Sequence, residues 1–367
     1  MTTAIQTSIA QQQQLGNAVV QQGGMTAIVQ SYALSVTQQA RLDLSRSDNS
    51  QIRAYAAGIN QELDRAANTA RTYLNNVQPQ SMALLAETRS YFALQGAFVD
   101  ILQQNLPPNT VAQLLRAIRD DVGRLRDKAQ QHATSMQGMR DAFGANGREF
   151  ASYATKLHSV VGGDQGILKQ LDDQLKQVNA QIQANSSRAA NGLAILGGLA
   201  LIAVGVLGAV FTGGLSLGLA IGGGALLVKG MGRTNGQALA QLHDQRGEIL
   251  RRQQRIRDEV KLLQACEAGL TSLGKQAHEA AAAAQSVANG WDSLKASLGS
   301  VADYVDRGSQ TNVAVLRELY LRAADGVTPD ILNKVSAMEN NLTTAQVVTN
   351  SSAPTSQIIQ TQLLQYA

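Results

Sequence analysis

From Ala189 to Val228 the chain runs forty residues without one charged side chain, between Arg188 and Lys229. Eighteen of the forty are Leu, Ile, Val or Phe, so a molecule in water must hide the segment or give it to a lipid bilayer. Eleven are glycine, and each costs a helix in water up to about 1 kcal/mol against alanine. In lipid the backbone must pair internally, which favours a helix. The segment is therefore a poor helix in water and a better one in a membrane. For the dissolved state, short packed helices and a β-hairpin tongue both remain open.

Thr212-Gly213-Gly214 divides the segment into two arms. As helices, residues 189–211 would span about 34 Å and residues 215–228 about 21 Å. Taking the second arm over residues 214–232, with Lys229 snorkelling, gives about 28 Å against a hydrocarbon core of ~30 Å. One leaflet or two is left open. The residues expected to enter lipid on the first arm are Leu193, Ile195, Leu196, Leu199, Leu201, Ile202, Val204, Val206, Leu207, Val210 and Phe211. On the second they are Leu215, Leu217, Leu219, Ile221, Leu226, Leu227 and Val228, with Thr212, Gly213 and Gly214 as the hairpin turn. Gly214, Gly218 and Gly222 recur every fourth residue, as in close helix contacts within membranes. The segment's polar side chains are Asn191, Thr212 and Ser216 alone. Neither arm has a face that could line a water-filled channel, so a conducting pore needs a partner with an amphipathic hairpin. A buried core hairpin of a soluble protein is the alternative, but little else in the chain could cover it.

The rest of the chain predicts helix. No proline occurs between Asn109 and Thr328, and aromatic residues are only 4% of the chain, which argues for long helices over a β-barrel or sandwich. Residues 1–14 read as a polar tail. A first helix follows on Leu15, Val19, Ile28, Tyr32 and Val36, open to interruption at Gly23-Gly24, with a break near Ser45–Ser50. Ile52, Tyr55, Ile59, Leu63, Ala66, Ala70 and Leu74 mark a second helix. Pro79 is a kink or boundary, helix resumes from Met82 to about Gln104, and Asn105-Leu-Pro-Pro-Asn109 is a stop. A third helix runs from Val111 to about Val161, with Gly144 and Gly147 as soft points.

Leu168, Leu171, Leu175, Val178 and Ile182 form a coiled-coil seam leading into the apolar segment. Leu242, Ile249, Ile256, Leu263 and Leu270, spaced by sevens, form another leading out, and alanine-rich helix continues past Trp291 to about Asp306. Helices joined at one end pack antiparallel most simply, which gives a long stalk with a greasy tip. Shorter helices are predicted at 311–324 and 329–348, with a loop or strap from Thr349. The fold class is all-α: an elongated bundle of long helices with a hydrophobic head hairpin between two heptad helices. Its parts are tail helices (1–161), a stalk helix entering the head (162–188), the head hairpin (189–228), a stalk helix leaving it (229–306), and C-terminal tail helices with a strap (307–367).

Chemistry-bearing motifs are weak. The net charge of +4 is spread thinly, and the basic run Arg246, Arg251, Arg252, Arg255, Arg257 and Lys261 is interleaved with acids, so it reads as a solvated helix face and not as a nucleic-acid site. Gly214-Leu-Ser216-Leu-Gly218 matches a nucleophile elbow but lies at the greasy turn. Gly269-Leu-Thr-Ser-Leu-Gly274-Lys275 resembles a phosphate loop, but Gln276 replaces the required Ser or Thr and the context is heptad helix. His132, His158, His243 and His278 have no metal-ligand spacing and read as surface histidines. Cys266 is a lone cysteine, which excludes an internal disulfide. No catalytic residue, metal site or cofactor is expected. The N-terminus, MTTAIQTSIAQQQQLG, has no basic region followed by an apolar run, so export would not use a conventional signal peptide.

Long polar helices around a heptad-flanked apolar hairpin with a glycine turn resemble the cytolysin A type of α-pore-forming toxins, and more narrowly the B component of a tripartite haemolysin. The resemblance implies a soluble monomer whose head covers the hairpin and opens on a target membrane. Residues 167–211 and 215–300 would straighten into two very long helices, and protomers would form a ring. Two further components would supply the hydrophilic lining and help recruitment. Hinges would lie at Gly162, Gly163 and Gly166, at the turn, and at Gly230, Gly232 and Gly236. A secretion-system translocator and a resident membrane protein with coiled-coil arms are the alternatives.

Overall fold

The computed structural model describes residues 2–37, 50–104, 106–161, 173–185, 200–206, 209–212, 215–218, 224–228, 233–256, 258–308, 310–325, 327–343, 346–354, 357 and 361. Their body is helical, as the pattern predicts. Helix α1 (Thr2–Thr37) is unbroken and includes the expected polar tail. Its inward positions Ser8, Gln12, Leu15, Val19, Gln22, Thr26, Val29, Ala33 and Val36 alternate steps of four and three, and all are buried. Polar residues at seam positions disguised the helix start. Gly23 is a notch and not an interruption. A Cβ there would fall 2.3 Å from Met338 Cγ, and one on Gly16 would fall 2.6 Å from Ile331 Cγ1. Both glycines let α1 lie close to a C-terminal helix.

Helix α2 (Ser50–Thr72) buries Ile59, Leu63, Ala66 and Ala70. One π-helical turn, Tyr73–Val77, joins it to α3 (Gln78–Leu102). The Gln78 N–H donates to Tyr73 O, five residues back, just before Pro79. Proline lacks an N–H and its ring crowds the preceding turn, so the widened turn absorbs it without a break. The Tyr73 hydroxyl donates to Thr26 O (3.0 Å) and ties this turn to α1.

The spine is α4 (Pro108–Val161) against α7 (Asp258–Asp306), the most extensive helix pair in the fold. At 54 residues α4 is about 81 Å long. Gly144 and Gly147 do not interrupt it. Arg116 Nη2 reaches Asp303 Oδ1 (3.2 Å) and Asp306 Oδ2 (2.8 Å), Arg126 faces Asp292, and Gly144 faces Gly274. Rising numbers on α4 meet falling numbers on α7, so the pair is antiparallel. Between them and α1 and α3 lies the core, with Trp291 fully buried edge-on to Tyr91 at 5.2 Å. Helix α5 (173–185) buries Leu175, Val178 and Ile182, and Gln183 Nε2 donates to Glu279 Oε1 on α7 (3.0 Å). Leu168 and Leu171 lie outside the described residues.

Helix α6 (Arg233–Ile256) precedes α7. Its buried residues are Gly236, Leu239, Ala240, His243, Arg246, Gly247 and Ile249. Of the expected seam, Ile249 is buried and Leu242 only partly so, and His243 and Arg246 are buried beside it. The final helices, α8 (Gln310–Asp325) and α9 (Val327–Thr343), close the bundle over α1 and α3.

The apolar head and its strap

Helix gives way to strand in the apolar segment. Strands β1 (Ala200–Val206) and β4 (Gly224–Val228) pair antiparallel, from Ala200↔Val228 to Val204↔Gly224. Further out, β2 (Ala209–Thr212) and β3 (Leu215–Gly218) pair from Ala209↔Gly218 to Thr212↔Leu215. The chain therefore reverses between β2 and β3. Of the two dissolved forms left open above, the tongue is the one adopted. Glycine and β-branched residues explain the choice, since they weaken a helix in water and the latter favour strands.

A third strand was not foreseen. Strand β5 (Gln346–Pro354) pairs parallel with β1, from Leu201↔Gln346 to Gly205↔Asn350, and makes a sheet of order β4-β1-β5. The expected helix to residue 348 ends at Thr343, and the expected loop is this strand. Its β-branched opening, Val347-Val348-Thr349, was the available signal. Helix α1 lies against β1 and β4.

Twelve of the expected lipid-facing or turn residues lie in these strands: Leu201, Ile202, Val204 and Val206 in β1; Val210, Phe211 and Thr212 in β2; Leu215 and Leu217 in β3; Leu226, Leu227 and Val228 in β4. Leu193, Ile195, Leu196, Leu199, Leu207, Gly213, Gly214, Leu219 and Ile221 fall outside the described residues, as do Gly162, Gly163, Gly166, Gly230 and Gly232. Gly236 is a buried residue of α6. Ser216 is paired with Phe211 within β3, and Gly269 to Lys275 are helical in α7, so neither short motif has the backbone its chemistry needs. Among the described residues no helix is long and apolar enough to cross a membrane, and no His, Cys, Asp and Glu cluster could hold a metal.

Where α6 leaves the head, sequence reasoning missed a buried polar cluster. Tyr32 of α1 and His243 and Arg246 of α6 are all buried. Burial and then the Arg246 charge push His243 down to about 3, so it is neutral. Burial lowers Arg246 to about 10, opposed by Tyr32. Burial raises the Tyr32 hydroxyl, opposed by Arg246. The expectation of a solvated basic face fails at Arg246, which is buried and interacts electrostatically with Tyr32 of α1. The other basic residues of that run have side chains outside the described set. The surface reading of the histidines fails at His243 and also at His132, which is buried with Nε2 2.9 Å from Ser81 Oγ and lowered to about 4 by burial. His278 is exposed.

Residues 9–185 match the family model of the Bacillus haemolytic enterotoxin (HBL). No curated protein matches the chain at a significant level. Among solved structures, soluble SmhB of the tripartite α-pore-forming toxin of Serratia marcescens is 21% identical with a TM-score of 0.87, covering 97% of this chain and 100% of that one. Soluble AhlB of the Aeromonas hydrophila tripartite toxin is 26% identical with a TM-score of 0.85, covering 95% and 99%. The AhlB pore is 25% identical with a TM-score of 0.62, covering 92% and 99%. The family match covers just under half of the chain, and over nearly its whole length the fold is that of soluble SmhB and AhlB of tripartite α-pore-forming toxins.

Proposed function

We infer that the chain is the B-type subunit of a tripartite toxin, soluble as a monomer, that opens its head, inserts the apolar hairpin into a target-cell membrane and oligomerises into a pore. Its family is one of non-enzymatic toxin components acting on host membranes. The observation that carries the reading is the uncharged segment held as an open-edged sheet. Open sheet edges cannot persist in hydrocarbon, because their N–H and C=O groups would stay unpaired. Leaving water thus requires β1 to β4 to part from β5 and rewind as helices. The two AhlB forms support this: nearly the same share of chain matches both, yet the likeness falls from 0.85 to 0.62 between soluble molecule and pore.

On this reading the residues from Leu193 to Val228 enter lipid, the chain turns at Thr212-Gly213-Gly214, and hinges lie at Gly162, Gly163, Gly166, Gly230, Gly232 and Gly236. A partner supplies the hydrophilic lining, since the hairpin has none. The exported form keeps Ser8 and Gln12, which are buried in the bundle, so that cleavage beyond them would strip part of its core. Mass measurement of the exported protein should find these residues present, and their absence would contradict this.

The test of head opening is a disulfide between β1 and β5, Val204→Cys with Thr349→Cys, which face each other in the register. In a Cys266→Ala background, lysis with all components should vanish when oxidised and return on reduction. Full lysis in the oxidised state would overturn the reading.

A further inference from the structure

Helix α6 is the first described element after β4, so it must leave its seat if the hairpin is to straighten. His243 and Arg246 stand three residues apart on it, which puts them on one face, and both are buried. Neither ring nitrogen of His243 has a hydrogen-bond partner. Packing alone would be served better by leucine, because a buried polar ring without a partner gains nothing for the desolvation it costs. The site thus accepts a neutral imidazole and offers nothing to a charged one.

The elements around the pair are poor in negative charge. Helix α1 carries no charged residue in its 36 positions, and β1, β4 and β5 carry none. The titratable group that meets the pair from another element is Tyr32 of α1, whose hydroxyl is kept neutral by burial. On α6 itself Asp244 and Glu248 are exposed. Helix α7 packs against α6. Its first charged residues, Asp258, Glu259, Lys261 and Glu267, have side chains outside the described set, and Lys275, His278 and Glu279 are exposed. A second cation beside Arg246 would therefore be repelled in a place that water does not screen.

We propose that His243 makes opening of the head acid-sensitive, because α6 can take up a proton there only by leaving its seat beside Arg246. This device presupposes the head opening inferred above and adds what drives it. While α6 is seated, burial and then the Arg246 charge hold the imidazole at about 3, so it is neutral. Opening returns the ring to its ordinary range near 6.5. Below that pH each opened molecule binds a proton that the closed one lacks. Opening then gains up to about tenfold per pH unit, and about tenfold in all between pH 7.5 and 5.5. His132 is also neutral, but its partner Ser81 belongs to the bundle, which does not part. It serves as the control.

The full-length chain carries an environment-sensitive fluorophore on Leu217→Cys in a Cys266→Ala background. It is mixed with phosphatidylcholine vesicles and both partner components at pH 7.5 and at pH 5.5, and the initial rate of the blue shift is measured. The partners' own response to pH is common to every variant and cancels. The chain with His243 should gain about tenfold more from acid than His243→Gln does, and His132→Gln should gain as much as the unaltered chain. A second reading does not depend on how well a variant folds. In the dissolved chain labelled with carbon-13 on its histidine rings, His243 should stay neutral from pH 7.5 to 5.5. An equal gain with and without His243, or titration of His243 near 6.5 in the dissolved chain, would overturn this proposal alone. No blue shift at either pH would overturn the head-opening reading and this proposal with it.

Discussion

The bundle and the head solve the same problem in opposite ways. In α4 and α7 the apolar residues recur in steps of three and four, leaving a polar face for water, while α1 is covered on nearly every side from Gln22 to Val36. From Ala189 to Val228 there is no such period: every face is apolar and no polar face exists. The bundle sequence therefore names one structure in one solvent. The head sequence names only an environment, and its backbone follows that environment. In water its strands lie against α1 and β5; in lipid the open edges would force helix.

Charges in the head should separate the two regions most sharply. Leu201→Asp with Leu217→Asp adds about 5–7 kcal/mol against insertion, at ~2.5–3.5 kcal/mol per aspartate. Haemolysis with all components should fall at least a hundredfold, while the melting temperature of the monomer shifts little. Lysis retained at the original level would erase the distinction. The reverse experiment is Trp291→Ala, which hollows the spine and should cost about 3–5 kcal/mol in denaturant unfolding. An unchanged midpoint would mean that the bundle core is not where the stability lies.

A smaller effect concerns acid. His132 and His243 are held neutral in the fold, with values lowered to about 4 and about 3 against an ordinary 6.5. The unfolded chain binds those protons first, so stability is fully present above pH 6.5 and declines as pH falls from there towards 4. The slope is at most about 1.4 kcal/mol per pH unit for each histidine. His132→Gln should flatten the decline in thermal melts across that range, and an identical pH profile would remove His132 as a cause. Smallest of all is Gly96→Ala. A Cβ at Gly96 meets nothing within 4 Å, so the change should add up to about 1 kcal/mol. A loss of stability would mean that this exposed helix turn is not as open as it stands here.

What could be read beforehand followed the same divide. The stop at Pro107-Pro108, the end of α7 at Asp306 and the seam of Leu175, Val178 and Ile182 were legible because proline geometry and heptad spacing act locally. The start of α1 was missed because Ser8, Gln12, Gln22 and Thr26 occupy seam positions, where spacing and not polarity carries the signal. Gly23 misled because a helix notch and a helix break use the same residue, and only Met338 opposite it decides. His243 and Arg246 were hidden for the reason Ser8 was: they sit four and three steps along a buried stripe. For β5 the β-branched Val347-Val348-Thr349 was a local signal of strand, but its pairing was illegible, since its partner lies some 145 residues earlier in sequence at Leu201–Gly205 and nothing local announces a parallel pairing.

The account rests on the exchange of water for lipid by the tongue, and a reporter at its tip measures that directly. An environment-sensitive fluorophore on Leu217→Cys, in a Cys266→Ala background, is followed as vesicles and both partner components are added. The account predicts a blue-shifted emission and protection from aqueous iodide that appear together with vesicle leakage. Leakage with the probe still red-shifted and fully quenched by iodide would contradict it.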